Sequence, residues 1–319
     1  MGRWHADAVA RIGGSVAVIV DPNESARRAL SARWPGAVLA GGLDAPAVAR
    51  LASVAHVCTP LSTHAPIVSA LIDAGVHALV EKPFTDDGDS TRVVLGRAEQ
   101  RSVLVCPVHQ FLFQEGIRKV SEWLPHMGPV RRFEYSTCSA GASDDPASQD
   151  ALIAEILPHP LALVRLLLCA PVSEISWQVA HPAPGEFRAI GAAGPVVVDL
   201  AISAHGRPTE NTLRIVADGG TASADLYHGF AVRYPPTVSR TAKMTRPFSH
   251  AARQLSAAAV NLVRRAARAE AAYPGLRELV RAFYSATAGD GPPPIAPDAI
   301  TDVAYARDAL IARATLRRD

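Results

Sequence analysis

The sequence predicts an α/β chain: a doubly wound parallel sheet, then an α+β domain with a mostly antiparallel, open sheet. Three observations carry this reading. Up to Val108, short apolar runs alternate with helical stretches, the signature of βαβ units. Beyond Val108, strand-like runs follow one another through turn signals such as Gly219-Gly220. The segment 57–84, VCTPLSTHAPIVSALIDAGVHALVEKPF, joins two apolar runs through an amphipathic helix and ends on the ionisable pair Glu81-Lys82. In an open parallel sheet, ligands gather beyond the carboxyl ends of such strands. The domains predicted are residues 1–108 and 109–319.

In the first half, helices are expected over 5–12, 25–34, 46–51, 66–74 and 89–100. Strands are expected over 16–20, 37–39, 54–58, 77–80 and 103–108. Asp21-Pro22-Asn23 closes the first strand, and Pro46 suits a first helical turn. In the second half the strand candidates are 130–138, 172–179, 186–191, 196–205, 213–217 and 222–227. Helices are expected over 151–168, 251–269, 275–287 and 297–315.

The 319 residues are enough for two cored domains, and 49% hydrophobic with 19% charged content fits a soluble globular protein. A net charge of +2 gives no electrostatic case for a nucleic-acid partner. Cys58, Cys106, Cys138 and Cys169 form no C-x-x-C pair, so neither a zinc site, nor any other metal, nor a disulfide framework is indicated. Free thiols suit a cytoplasmic location. The amino terminus shows no apolar signal core. The longest apolar region, 156–172, is interrupted by His159 and Arg165 and falls short of a membrane span. The tract 239–268 carries seven basic residues and no acid. It reads as a solvated helix face, with an anionic partner such as a sugar nucleotide or a membrane surface as the alternative.

Several residues invite chemistry. Pro83 fixes its own φ and pushes Lys82 toward extended geometry, so the amine is aimed, and the Lys82-Pro83 bond is a candidate for the cis form. Asp21 ends a strand nineteen residues beyond Gly2. A carboxylate so placed can accept hydrogen bonds from a ribose, or can cap the next helix. Glu155 and His159 are four apart, which puts both on one helical face, although Pro158 and Pro160 demand a local start or kink.

The strings VEKPF, TPLSTH and Gly2-Arg3-Trp4-His5 resemble the glucose–fructose oxidoreductase, inositol dehydrogenase and MocA (Gfo/Idh/MocA) family of nicotinamide-dependent oxidoreductases. The resemblance implies a Rossmann domain binding NAD, with NADP as the open alternative, through Gly2, Asp21, Thr59, Pro60, His64, Glu81 and Lys82. It implies that Lys82 and His159 handle a substrate proton, that Glu155 orients them, and that Lys82, His109, Gln110 and His159 bind substrate. The implied substrate is a sugar, nucleotide-linked sugar, cyclitol or similar polyol, and the implied assembly a homo-oligomer. Leu61 replaces a common Asn, Glu155 a common Asp, and the arginine usual beside Phe111 is absent.

Gly2 matches the third glycine of the family's G-x-G-x-x-G loop, while the first two and the strand before them are missing. Five or six buried apolar side chains at about 1.5–3 kcal/mol each make that strand worth on the order of 10 kcal/mol, the net stability of an ordinary domain. The sequence as written is therefore expected to start at an internal methionine of a protein about 20–30 residues longer. The alternative is a non-redox binding protein or cofactor-free enzyme on the same scaffold.

Overall fold

The computed structural model describes residues 1–139 and 145–314. It divides into two compact units, 1–108 with 276–304, and 109–275 with 305–319. The first break follows Val108. The segment 276–304, assigned from sequence to the second domain, clusters with the first unit instead.

The first unit runs α1 (Gly2–Arg11), β1 (Val18–Val20), α2 (Glu24–Ser31), β2 (Val38–Ala40), α3 (Ala45–Ala49), β3 (Val54–Val57), α4 (His64–Asp73), β4 (His77–Val80), α5 (Gly88–Gln100) and β5 (Val105–Pro107). Its strands are parallel, but they form two sheets, β1-β2 and β3-β4-β5, where one was expected. The doubly wound order places one strand between these halves, and no described segment occupies that place. β4 lies inside its sheet, and Ala78, Leu79 and Val80 are wholly buried. Val18, Val20 and Val54, on the two edges left open, are only half-buried.

The second unit opens with α6 (Glu115–Trp123), followed by β6 (Val130–Cys138), α7 (Pro146–Ile156), α8 (Pro158–Leu168), β7 (Gln178–Ala183), β8 (Glu186–Ala193), β9 (Val196–Ser203), β10 (Glu210–Ala217), β11 (Gly220–Asp225), β12 (Phe230–Tyr234) and α9 (Arg240–Ala267). α10 (Leu276–Thr287) belongs to the first unit, and α11 (Pro297–Ala314) is divided at 304/305. Residue 315, the expected end of that helix, lies outside the described residues. The seven strands form one sheet in the order β12-β11-β10-β6-β9-β8-β7, antiparallel except for β6-β9. The basic tract folds as part of α9, in which no residue is buried.

Three second-unit expectations are corrected. Residues 172–177 are not strand. Val172, Ile175 and Trp177 are buried by lying over β8 at Gly191, where a Cβ would stand 2.4 Å from Ile175 Cγ2. The short alternating run of β12 and the charge-rich α6 were missed. Both are held by Gly116, where a Cβ would come within 2.7 Å of the Phe230 backbone.

The single helix expected over 151–168 is two. Pro158 and Pro160 have no N–H to give the carbonyls four residues back. The Ala154 carbonyl, orphaned by Pro158, instead accepts a 3.0 Å hydrogen bond from Nε of the buried Arg307. Together α7 and α8 are long and apolar enough to cross a membrane, yet residues 157–164 are all buried in this unit. Arg307→Met should cost about 2 kcal/mol, the loss of a charge-assisted bond to a buried carbonyl. A urea titration checks this, and an unchanged midpoint would refute it.

Candidate functional site

In the first unit, chemistry collects at the carboxyl ends of β3 and β4. Val57 pairs with Val80, and the Glu81 N–H donates to the Val57 carbonyl at 2.8 Å. The turn after β3 and the turn after β4 therefore stand side by side. His64, the first residue of α4, clasps them together. Its Nδ1 lies 2.9 Å from the Pro83 carbonyl and its Nε2 2.9 Å from that of Thr59. A neutral imidazole donates to one carbonyl at a time, and the imidazolium donates to both. His64 was expected against the cofactor. It is buried with both ring nitrogens facing main-chain oxygens, so its part here is to fix the loop that carries the exposed Thr59 and Pro60.

Lys82 follows β4, half-buried, with a cis bond to Pro83. Its N–H donates to Glu81 Oε2 at 3.3 Å. The other Glu81 oxygen meets His5 Nε2 at 2.9 Å, both groups buried. His5 Nδ1 in turn lies 2.7 Å from His56 Nδ1, and His56 Nε2 lies 3.2 Å from the Tyr284 hydroxyl. Two facing ring nitrogens require one donor and one acceptor.

The electrostatics assign them. Burial opposes charge on His5, but Cys58 and the Glu81 carboxylate outweigh it and raise its pKa to about 9. Burial and then the charge on His5 hold His56 well below the usual imidazole range. Burial pushes Glu81 up, and this is overcome by the hydrogen bond and charge of His5, with help from Lys82, so its carboxyl sits below the usual range. His5 is thus the imidazolium, donating to Glu81 and to His56. The neutral His56 carries its remaining proton on Nε2 and donates to Tyr284, whose own hydroxyl is pushed by burial up to about 12.

Asp21 ends β1, its N–H bonded to the Ala40 carbonyl. The reading of Asp21 as a helix cap is set aside, because Asn23 caps α2, accepting from Ser25 N at 2.9 Å. Asp21 Oδ1 accepts from Asn23 N at 2.8 Å. Arg27 donates to the Asp21 main-chain carbonyl, and Arg28 pairs with Glu24 at 2.6 Å. Gly2 opens α1, whose amino end has no side-chain cap, and a Cβ there would meet nothing within 4 Å. An open helix amino terminus and a strand-end carboxylate suit the pyrophosphate and ribose of a dinucleotide. NAD fits these residues, although Gly2 is all the chain offers of a glycine turn.

The second unit gathers His109, Gln110, Phe111 and His159, all but Phe111 buried. The His159 ring lies against Phe111, centroids 4.4 Å apart, and edge-on to His109 at 6.4 Å. Glu155 does not share a helical face with His159. It is exposed on α7, whereas His159 is buried on α8, because the proline pair breaks the helix between them.

A sheet built from βαβ units, with a helix amino terminus, an acidic strand end and a lysine beyond the neighbouring strand, defines a dinucleotide-type α/β protein. Residues 1–109 match the oxidoreductase family with an NAD-binding Rossmann fold. It is 30% identical over 208 residues to the UDP-N-acetylglucosamine 3-dehydrogenase of Acidithiobacillus ferrooxidans, a match covering 60% of this chain and 55% of that enzyme. The chain thus spans about half the length of that relative. A solved structure of the enzyme from that organism superposes with a TM-score of 0.76 at 21% identity, over 98% of this chain and 94% of the other. The WlbA dehydrogenase of Bordetella pertussis, in complex with NADH and UDP-GlcNAcA, gives 0.76 at 15%, over 98% and 92%. At these identities the superpositions establish the fold.

The linkage gives a pH dependence with a definite sign. The contribution of His5, its pKa raised, is complete below its ordinary value of 6.5 and is lost as pH rises through about 9. That of Glu81, its pKa lowered, is present above the usual carboxylate range and is lost on acidification. The thermal midpoint of the protein should therefore fall between about pH 6.5 and pH 9, and His5→Gln should flatten that limb. Identical alkaline limbs in scanning calorimetry of the two proteins would refute the assignment.

Proposed function

We propose that this chain is an NAD-dependent dehydrogenase or reductase acting on a CH–OH group of a sugar, most closely a nucleotide-linked sugar. The observation that carries it is the position of Lys82 just beyond a strand's carboxyl end, its main-chain N–H held by a buried carboxylate, within the segment that matches an NAD-binding oxidoreductase family. The likeness to a UDP-N-acetylglucosamine 3-dehydrogenase supports the substrate class and favours a redox reading over a cofactor-free one.

The nicotinamide, when bound, supplies the site for hydride exchange with the substrate carbinol carbon. The chain's residues do the rest. The Lys82 Nζ holds the reacting oxygen and takes or returns its proton, a task worth about 10²–10⁴-fold in rate. Glu81 orients Lys82 through its main-chain N–H, His5 holds Glu81 ionised, and His64 fastens the two turns. In the second unit, His159, His109 and Gln110 are assigned to the substrate's hydroxyls, with His159 a second proton carrier. Asp21 binds the adenosine ribose and repels a 2′-phosphate, which selects NAD over NADP. A cytoplasmic homo-oligomer completes the reading, supported by four free cysteines and by the open second-unit sheet as a pairing face.

Two measurements test it. Incubation with NAD and UDP-N-acetylglucosamine should raise absorbance at the NADH band, and no turnover with any sugar nucleotide would end the substrate proposal. Lys82→Ala should lower kcat by about 10²-fold or more while the NADH fluorescence titration stays near that of the unaltered protein. An active Lys82→Ala protein would refute the catalytic role.

A further inference from the structure

In the second unit, α9 is mounted the opposite way to an ordinary surface helix. Such a helix turns its apolar side inward and its charges to water. Here the inward contacts are polar. The His250 ring stacks on Tyr234 with centroids 4.0 Å apart, and the Tyr234 hydroxyl donates to Gln254 Oε1 at 3.1 Å. Further along, Asn261 Nδ2 donates to the His228 carbonyl at 2.9 Å, Arg264 pairs with Glu115, and Arg265 donates to the carbonyls of Glu270 and Ala271. The bulky side chains face outward instead: Phe248, Leu255 and Leu262 are 77%, 72% and 70% exposed.

These residues share one stripe. At about 100° per residue, Phe248, Ala251, Leu255, Ala259 and Leu262 fall on one side of the helix, spaced three or four apart. The only ionisable residues between Pro247 and Val263, His250 and Arg253, lie on the opposite half. Large side chains alternating with alanines suit a second helix, because each large group enters the space that a small one leaves. The stripe also matches itself. Turned about a two-fold axis at Leu255, Phe248 meets Leu262 and Ala251 meets Ala259, since the members of each pair lie seven or four residues to either side. The exposed side chains of this face offer on the order of 700 Å² per protomer, close to the ~800 Å² a side of a standard interface. The cations that would draw the helix to an anionic surface are in part engaged by the protein itself, at Arg264 and Arg265.

We propose that the outward face of α9 is a docking surface for a second copy of this chain, the two helices packed antiparallel about a two-fold axis at Leu255. The face calls for an uncharged helical stripe with matching large and small side chains, and the same stripe on another copy supplies it without opposing like charges. This pairing is separate from any through the open sheet. It rests on packing alone and is tested independently of the redox reading.

Analytical ultracentrifugation of the full chain tests it. Leu255→Asp sets two carboxylates face to face at the axis and should weaken the pairing by at least about a hundredfold in Kd. The mass of the assembly should then halve, whether or not the sheets also pair. Leu255 is largely exposed within its own protomer, so the substitution leaves the fold alone. Cysteine variants fix the register. Phe248→Cys protein mixed with Leu262→Cys protein should cross-link through a short bismaleimide well above the background of the unaltered protein. Arg253→Cys, on the far side of the helix, should not exceed that background. An unchanged mass in Leu255→Asp, or equal cross-linking by the mixture and by Arg253→Cys, would overturn the proposal. So would binding to phosphatidylglycerol vesicles that Leu255→Asp abolishes while the mass stays the same, which would assign the stripe to lipid.

Discussion

The buried ion pair of His5 and Glu81 is the interaction on which the first unit turns. Two ions out of water cost several kcal/mol each unless they are paired and hydrogen-bonded. Here one carboxylate oxygen meets the imidazolium and the other the Lys82 N–H. Removing either partner would leave a lone buried charge. The pair ties α1 to the end of β4, and it continues through His56 to Tyr284 on α10. One chain of polar contacts thus links the first helix, two strand ends and a segment more than two hundred positions further on. It also fixes the main chain at Lys82, whose N–H is held by the carboxylate that this helix keeps ionised.

The parallel architecture was legible because buried parallel strands are largely apolar runs, and residues 78–80 and, with His56 as its one polar residue, Val54–Val57 have that form. Lys82 and Asp21 stand out as candidates because a charge after such a run is out of place unless something needs it. The Tyr284 contact was not legible, since it lies 228 residues from His56 and nothing in a tyrosine on an amphipathic helix advertises a distant imidazole. For His64 the sequence left two readings open for a related reason. A histidine after a strand can face a ligand or bind local carbonyls, and only the position of Pro83 shows which.

The altered partnership of Glu155 and His159 follows from a rule that spacing alone does not carry. Four residues mean one face only while the helix persists, and two prolines end it. The division of the molecule was hidden similarly. The helix Leu276–Thr287 looks like any amphipathic helix, and which unit buries its Leu276, Leu279, Val280 and Phe283 is a tertiary matter.

The Arg307 guanidinium does for the Ala154 carbonyl what a main-chain N–H does elsewhere, and it arrives 153 positions later. At about 5–20 residues per second of synthesis, the corner ahead of His159 waits roughly 10–30 s for its last bond. Any shortening of the protein that removes α11 would leave that corner permanently one donor short, however intact the sheet beneath it.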